Sequence, residues 1–580
     1  MIEIKDVEKN NFRTFGWVQD PSNFDSLYDV VCIFNENSLK HQELVSNTIN
    51  SLVEERDGRE KLINALNKRP LKISYSDLVG TSFTPRSSAR CNGIIQATVK
   101  GQQRPYISDW PADNFIRWAH CLGFVKYNYF DDTFEITDLG QKFSSCTDEN
   151  IKNEILENAV LSYPPAVRIL SLLEDGNIKT KFELGRNLGF VGEDGFTSLP
   201  QDILIMTLAN EDNVKERNKL RTDTEGSADK YARMIAKWLS KLGLVNQVEK
   251  SITIKIEDNE YTEKIGQSYI ITAKGLKALN KARGKSKFKR IPKIVSWEML
   301  CTKGADRDYI RTRRAYILKI LTEAKKPLTS NAIRDRLEFY GISELYTVVK
   351  DDIIGLINIG LNIKGQVNYY LEDSICDFII PRVKDMKNEK TEIGKEKDSL
   401  REKLDYLSHD YLSLVDLSYD SKQNRLFEMK VLELLTKECD FSGLHLGGSR
   451  KPDGIIYTEG LDSNYGVIID TKAYSNGYDL PISQVDEMIR YVTENNVRDK
   501  SRNANEWWKN FNKNIDQYYF SFISGNFKGN IDEKLERIYV STNIKGAAIR
   551  IVSLLYIANE LKADREKLEN IKKIFINKVY

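Results

Sequence analysis

Two acids and a lysine mark one stretch of this sequence as a place for chemistry. Gly447-Gly-Ser-Arg-Lys-Pro452-Asp453-Gly454-Ile-Ile-Tyr-Thr458 is followed by the polar hexapeptide Glu459 to Asn464, then by Tyr465-Gly-Val-Ile-Ile-Asp470-Thr471-Lys472. Two apolar runs flanking a turn-rich hexapeptide predict an antiparallel hairpin. If Thr458 pairs with Tyr465, the same register sets Asp453 opposite Asp470 in the absence of a bulge. Strand alternation puts Asp470 and Lys472 on one face. Thr471 points to the other face and offers its carbonyl oxygen. Mg²⁺ prefers oxygen ligands and keeps several waters, so Asp453, Asp470 and the Thr471 carbonyl make a plausible seat for it beside a phosphodiester. Lys472 would orient a water or stabilise charge on phosphate oxygens. Glu428, on a preceding helix, would act through a water. Against this reading, Asp-Thr-Lys is a common tripeptide and Pro-Asp-Gly a common turn. The register is what favours the catalytic reading.

The elements that must hold these residues are legible around them. Tyr411 to Leu435 carries apolar residues at helical spacing. Gln484 to Tyr491 reads as another helix, with Asp486 and Arg490 four residues apart. These two form either a surface ion pair within the helix or the matching halves of a twofold interface, Asp486 of one copy meeting Arg490 of the next. Cutting two strands together calls for two sites, which favours the second alternative.

The first 375 residues repeat one grammar: an amphipathic helix, an apolar–Gly–apolar turn, then a polar hairpin. The repeats are Phe115 to Gly140 with Gly123 at the turn, Tyr231 to Gly275 with Gly243, and Asp352 to Leu371 with Gly360. Glycine after the last helical turn suits a left-handed cap, and the layout is that of a winged helix-turn-helix. Tyr231, Met234, Ile235, Trp238, Leu239 and Leu242 recur at helical spacing and are assigned to the core. Repetition of a motif that often binds DNA favours nucleic acid as the partner. Lys281 to Lys293 holds seven basic residues in thirteen and no acid, the composition of a linker crossing phosphates or of a solvated charged linker. Arg311, Arg313 and Arg314 form a second basic group, expected on a helix face.

Composition limits the alternatives. With 580 residues, 41% hydrophobic, the chain has material for several cores. The 86 Lys and Arg against 84 Asp and Glu leave a formal charge of +2, so phosphate contacts must come from local patches rather than bulk charge. Seven scattered cysteines without a CxxC pair, and four histidines, argue against structural zinc and for reduced thiols in a cytoplasm. No run is long and apolar enough to be a membrane span, and the N-terminus lacks the pattern of a signal peptide. The expected fold class is α/β and α+β multidomain. Its expected parts are a first winged-helix-like subdomain over 1–150, a second over 151–285, a third over 286–380, a linker over 381–395 and a nuclease domain with a mixed sheet flanked by helices over 396–580.

Several stretches resemble the FokI family of type IIS restriction endonucleases. They include Arg13-Thr-Phe-Gly-Trp-Val-Gln19, Asn187-Leu-Gly-Phe190, Gly195-Phe-Thr-Ser-Leu-Pro200, Asp229-Lys-Tyr-Ala-Arg-Met234, His445-Leu-Gly-Gly-Ser-Arg-Lys-Pro-Asp-Gly454 and Asp470-Thr-Lys-Ala-Tyr474. The resemblance implies three winged-helix-related recognition subdomains, the third engaged mainly in protein contacts, joined to a PD-(D/E)XK cleavage domain. It implies Mg²⁺-dependent cutting of double-stranded DNA, with Mn²⁺ able to substitute, at a fixed distance outside a short asymmetric site. It implies a catalytic triad of Asp453, Asp470 and Lys472. It further implies a bacterial cytoplasmic monomer that dimerises transiently on DNA through Asp486 and Arg490, and a protecting methyltransferase in the same system. Gln19, Arg86, Trp110, Glu225 and Lys230 match base-reading positions of the family. Asp20 and Thr222 stand where its pattern has Asn. An acid cannot donate as an amide can, so a GGATG-like target is the expectation with those two positions altered. The competing readings are a DNA-binding regulator with a degenerate nuclease domain and a PD-(D/E)XK repair nuclease.

Overall fold

The computed structural model describes residues 2–8, 13–256, 259–285, 287–383 and 390–580, without the side chains of residues 86, 223, 256, 259 and 383. The repeated grammar emerges as three small sheets, each of three strands. The first joins Ile73–Ser74, Thr133–Ile136 and Val125–Asn128, after helix Asp109–Cys121. The second joins Lys179–Thr180, Asn259–Ile271 and Val245–Ile256, after helix Ser227–Lys241. The third joins Leu328–Thr329, Asn368–Leu371 and Ile363–Lys364, after helix Tyr346–Asn358. Gly123, Gly243 and Gly360 take φ of 76°, 71° and 107°, the left-handed region where a side chain would be strained.

The chain divides into two compact units. One comprises Met1–Phe190, Lys230–Val248 and Gln267–Glu389. Its core includes the stacked rings of Trp118 and Trp238, 4.8 Å apart, which join the first two repeats. Met234, Ile235, Trp238 and Leu239 are buried as their spacing predicts, with Leu242 only partly so. A pairing that the sequence did not announce links the chain's start to its middle: Ile2–Val7 lies parallel to Phe378–Val383.

Two basic groups differ from expectation. Arg311, Arg313 and Arg314 are buried rather than displayed on a helix face. Arg313 donates to Asp352 (2.7 Å) and Glu344 (2.9 Å), Arg314 donates to Asp352 (2.7 Å), and Arg311 donates to the Cys301 carbonyl (2.7 Å). Burial works against the charge on Asp352, but the two guanidiniums hold its carboxyl below the usual range. In the Lys281 to Lys293 segment, Arg283 pairs with Glu174, and Arg290 with Glu372 and Asp373. Lys293 is buried, and desolvation pushes it down to about 8 while its ammonium donates to three carbonyls. Lys285, Lys287 and Lys289 are exposed, and Ser286 lies outside the described residues. Of the segment's seven basic groups, Arg283, Arg290 and Lys293 are therefore engaged by the protein's own acids and carbonyls.

The other unit comprises Val191–Asp229, Glu249–Gly266 and Lys390–Tyr580. Its centre is a six-stranded mixed sheet in chain order: β1 (Ser442–His445), β2 (Gly454–Tyr457), β3 (Tyr465–Lys472), β4 (Gln517–Ser524), β5 (Gly546–Arg550) and β6 (Lys578–Val579). The first two pairings are antiparallel and the other three parallel. One face packs Ile455, Ile468, Phe520 and Phe522 against helices α1 (Ile482–Val497) and α2 (Ile531–Thr542). Ile456, Val467, Ile469, Ile523 and Ile549 line the opposite face with Leu435 and Leu554 from helices Asn424–Lys437 and Ile551–Lys562. Covering both faces explains why β2 and β3 read as continuous apolar runs. The expected long helix from Tyr411 is broken, with Ser413–Leu417 and Asn424–Lys437 separated by a turn. A further helix, Glu392–Lys403, begins within the 381–395 segment, of which residues 384–389 lie outside the described residues.

The buried arginine pair yields a stability prediction. Asp352→Ala strands two guanidiniums and is expected to destabilise by about 3–5 kcal/mol, read as a lowered midpoint in urea. An unchanged midpoint would show that the network carries no stability.

Candidate active site

The β2–β3 hairpin has the register the sequence predicts. Gly454 pairs with Ile469, Ile455 with Ile468, and Tyr457 with Gly466. The Thr458 amide donates to the Tyr465 carbonyl. Asp453 therefore leads into β2 where Asp470 closes on it from β3. Its Oδ2 accepts the Thr471 amide at 2.7 Å and the Thr471 hydroxyl at 3.1 Å. Thr471 thus does not simply turn its side chain away, because the hydroxyl reaches across to fix Asp453. Lys472 lies on the face of Asp470, with Nζ 2.8 Å from Oδ2.

Two further acids bear on this pair, Glu428 on both carboxyls and Glu487 on Asp470. Burial, with Glu428 and Asp470 close by, pushes the Asp453 carboxyl well above the usual range against the pull of Lys472. Burial likewise raises Asp470, with Lys472 opposing and Glu487 and Glu428 adding to the shift. Desolvation disfavours the charge on Lys472, yet Asp470 and Asp453 raise its pKa above the ordinary lysine value. Glu428 is held below the usual carboxyl range despite burial, first by a hydrogen bond from His445. Sequence reasoning missed His445 and Glu487. Glu487 sits on α1, where the Tyr491 hydroxyl and the Arg490 guanidinium both donate to its Oε1 at 2.9 Å.

This donor set fits a divalent cation. Two hard carboxylates converge where like charges are already uncomfortable, and a cation would relieve that strain. Among the described residues no three His, Cys, Asp or Glu side chains form a metal-holding group. The seat is a carboxylate pair that would be completed by backbone oxygen and water.

Asp486 and Arg490 are not paired with each other. Asp486 accepts from Arg537 at 3.3 Å, with both side chains more than half exposed, and Arg490 turns to Glu487. Of the candidate base readers, Trp110 is half exposed near the start of its helix, and Asp20 is exposed beside a partly buried Gln19. Arg86 opens a short turn, Arg86–Ser88, but its side chain lies outside the described atoms. Lys230 belongs to the same unit as these. Thr222 and Glu225 belong to the other unit. Thr222 is exposed and hydrogen-bonds the Asn218 carbonyl at 3.1 Å, and Glu225 is partly buried. Asp229 anchors the turn after Glu225 by accepting from Gly226, Leu199 and Ser198.

Family models match along nearly the whole chain. FokI recognition subdomain 1 matches residues 13–146, recognition subdomain 2 matches 152–287, the D3 domain 300–368, and the FokI cleavage domain 390–579. The type II restriction enzyme FokI of Planomicrobium okeanokoites is 47% identical over 98% of this chain and 99% of its own. The chain belongs to the FokI family of type II restriction endonucleases. Within that family, StsI of Streptococcus sanguinis, also a type II restriction enzyme, is 33% identical over 99% of this chain and 97% of its own. The solved structure of FokI superposes with a TM-score of 0.92, covering 98% of this chain and all of the other. FokI bound to DNA superposes with 0.93, covering 98% and 99%. Both are 46% identical. The family generally works with a divalent metal, in keeping with the acidic pair. Among the described residues no helix is long and apolar enough to cross a membrane.

The crowding of acids has a measurable sign. A carboxyl raised in the folded protein makes the metal-free fold lose stability as pH climbs from the ordinary carboxyl range, about 4, towards the raised value. Asp453→Asn keeps an acceptor for the Thr471 amide and removes one charge. In chelator-containing buffer it is expected to melt higher than the parent at pH 8, with a smaller gap at pH 5. Equal melting at both values would refute the raised carboxyl.

Proposed function

We propose that this chain is a type IIS restriction endonuclease that binds a short asymmetric site in double-stranded DNA and hydrolyses both strands at a fixed distance outside it. The observation that carries this reading is Asp453 at the entry to β2, coupled electrostatically to Asp470 on β3 with Lys472 beside it, in a chain that matches the family from its recognition subdomains through its cleavage domain. The reading divides the chain as the sequence suggests: recognition subdomains over 1–150, 151–285 and 286–380, a linker over 381–395 and a PD-(D/E)XK cleavage domain over 396–580.

Asp453, Asp470 and the Thr471 carbonyl would hold Mg²⁺, or Mn²⁺ in its place. Bound there, the ion supplies Lewis acidity to a scissile phosphate and neutralises charge developing in the transition state. Thr471 keeps the Asp453 carboxylate from turning out of the site. Lys472, charged through its two acidic neighbours, orients the water and stabilises negative phosphate oxygens. Glu428 supports the site through a water. Gln19, Arg86, Trp110, Glu225 and Lys230 are the candidate base readers, with Asp20 and Thr222 altering what their positions accept. Arg86 suits a bidentate contact to guanine and Glu225 accepts from cytosine, which keeps a GGATG-like target in view. The protein would act in a bacterial cytoplasm beside a methyltransferase that protects host DNA.

The deciding experiment maps cut ends on a random-sequence DNA library with Mg²⁺. The expected outcome is a constant offset from one shared motif, with Asp470→Ala binding that motif but leaving it uncut. Scattered ends, or an active Asp470→Ala, would reject the assignment.

Double-strand cutting would require two copies meeting through Asp486 and Arg490. Asp486→Arg or Arg490→Asp alone is expected to slow it at least tenfold, with partial recovery when the two variants are mixed. Equal rates for separate and mixed variants would reject the interface.

A further inference from the structure

His445 is a buried ring to which the mechanism above gives no part. It is 1% exposed at the end of β1, and three groups fix it. Its Nε2 lies 3.1 Å from Glu428 Oε2. Its Nδ1 lies 3.2 Å from the hydroxyl of Thr207, on helix Gln201–Ala209 of the same unit. That hydroxyl is itself tied to the Ile203 carbonyl at 2.7 Å. The third group is Gly447, at φ +52°, which lies against the ring so closely that a Cβ there would come within 2.8 Å of His445 Cε1. An ionised carboxylate only accepts, so Nε2 carries the proton and donates to Glu428. Glu428 in turn acts electrostatically on Asp453, Asp470 and Lys472.

We propose that His445 is a positioning residue for cleavage: its Nε2–H fixes the Glu428 carboxylate beside Asp453 and Asp470, and so sets how tightly that pair holds a divalent ion. The proposal rests on the reading of Asp453 and Asp470 as the metal seat. Helix Asn424–Lys437 carries Glu428 in its second turn, and the hydrogen bond with His445 gives the carboxylate a direction. The histidine supplies that direction, because Gly447 lies against its ring and the Thr207 hydroxyl lies 3.2 Å from its far nitrogen. Partners that orient groups around a metal site are generally worth 10–100-fold in metal affinity or activity.

The test compares His445→Leu, which fills similar space without a donor, with His445→Gln, which keeps one, in the full-length protein. Mn²⁺ binding is followed by electron paramagnetic resonance, alongside single-turnover cutting of specific DNA and DNA affinity. His445→Leu is expected to bind Mn²⁺ about tenfold more weakly and cut at least tenfold more slowly, with DNA affinity unchanged. His445→Gln is expected to recover most of both. Parental Mn²⁺ affinity in His445→Leu, or a Gln variant no better than the Leu variant, would overturn the proposal. Asp470→Ala separates the two levels. If it binds Mn²⁺ like the parent, the metal-seat reading fails and takes this proposal with it. If it loses the ion while His445→Leu does not, only the role of His445 falls.

Discussion

The cleavage unit depends on keeping Asp453, Asp470 and Glu428 close together where burial opposes their charges. Lys472 pairs directly with Asp470 at 2.8 Å, His445 lies 3.1 Å from Glu428, and Arg490 pairs with Glu487 at 2.9 Å. Withdrawing a carboxylate from water costs several kcal/mol when it is not fully paired, and like charges at short range add to that cost. The acids stay together because the strands bearing two of them are clamped by apolar packing on both faces, with Ile455 and Ile468 on one side and Ile456, Val467 and Ile469 on the other. The hydrophobic sandwich offsets the electrostatic penalty, so the pair is held in position instead of relaxing apart.

How much of this could be read from the sequence depended on the range of the interaction. The hairpin register follows from local counting: six turn residues fix Thr458 opposite Tyr465, and every pair as far as Gly454 and Ile469 follows. The three glycine-capped repeats are equally local. Interactions across long separations left no such trace. Thr207 and His445 meet across 238 positions, and nothing in either neighbourhood names the other. Arg313 and Arg314 looked like surface charge because they cluster with Arg311, whereas their partner Asp352 comes from a different helix. A cluster of cations in sequence reports charge but not whether acids are waiting elsewhere to bury it.

The repeats also separate framework from reading surface. Their shared pattern specifies Trp118 and Trp238, which end up stacked in a common core. The candidate base readers fall mostly outside that pattern: Gln19, Asp20 and Arg86 before the first repeat, Thr222 and Glu225 before the second. Trp110 and Lys230, near the starts of their helices, are closer to it. Periodicity marks residues that must face a core, so residues that face a partner are visible only through resemblance to a family. Asp20 and Thr222 are both exposed, so a change there need not disturb the fold.

Helix α1 shows how closely the unit's tasks are bound together. Val485, Met488, Tyr491 and Val492 seal one face of the sheet. Glu487, one turn from Tyr491, contributes to the field at Asp470. Asp486 lies exposed, and Arg490 is half exposed while holding Glu487 at 2.9 Å. The outward face of this helix is therefore not electrically separate from the acidic pair. Any contact that draws the Arg490 guanidinium outward leaves Glu487 to the Tyr491 hydroxyl and the Gln484 amide. A surface that looks remote from the chemistry by sequence position is coupled to it through a single carboxylate.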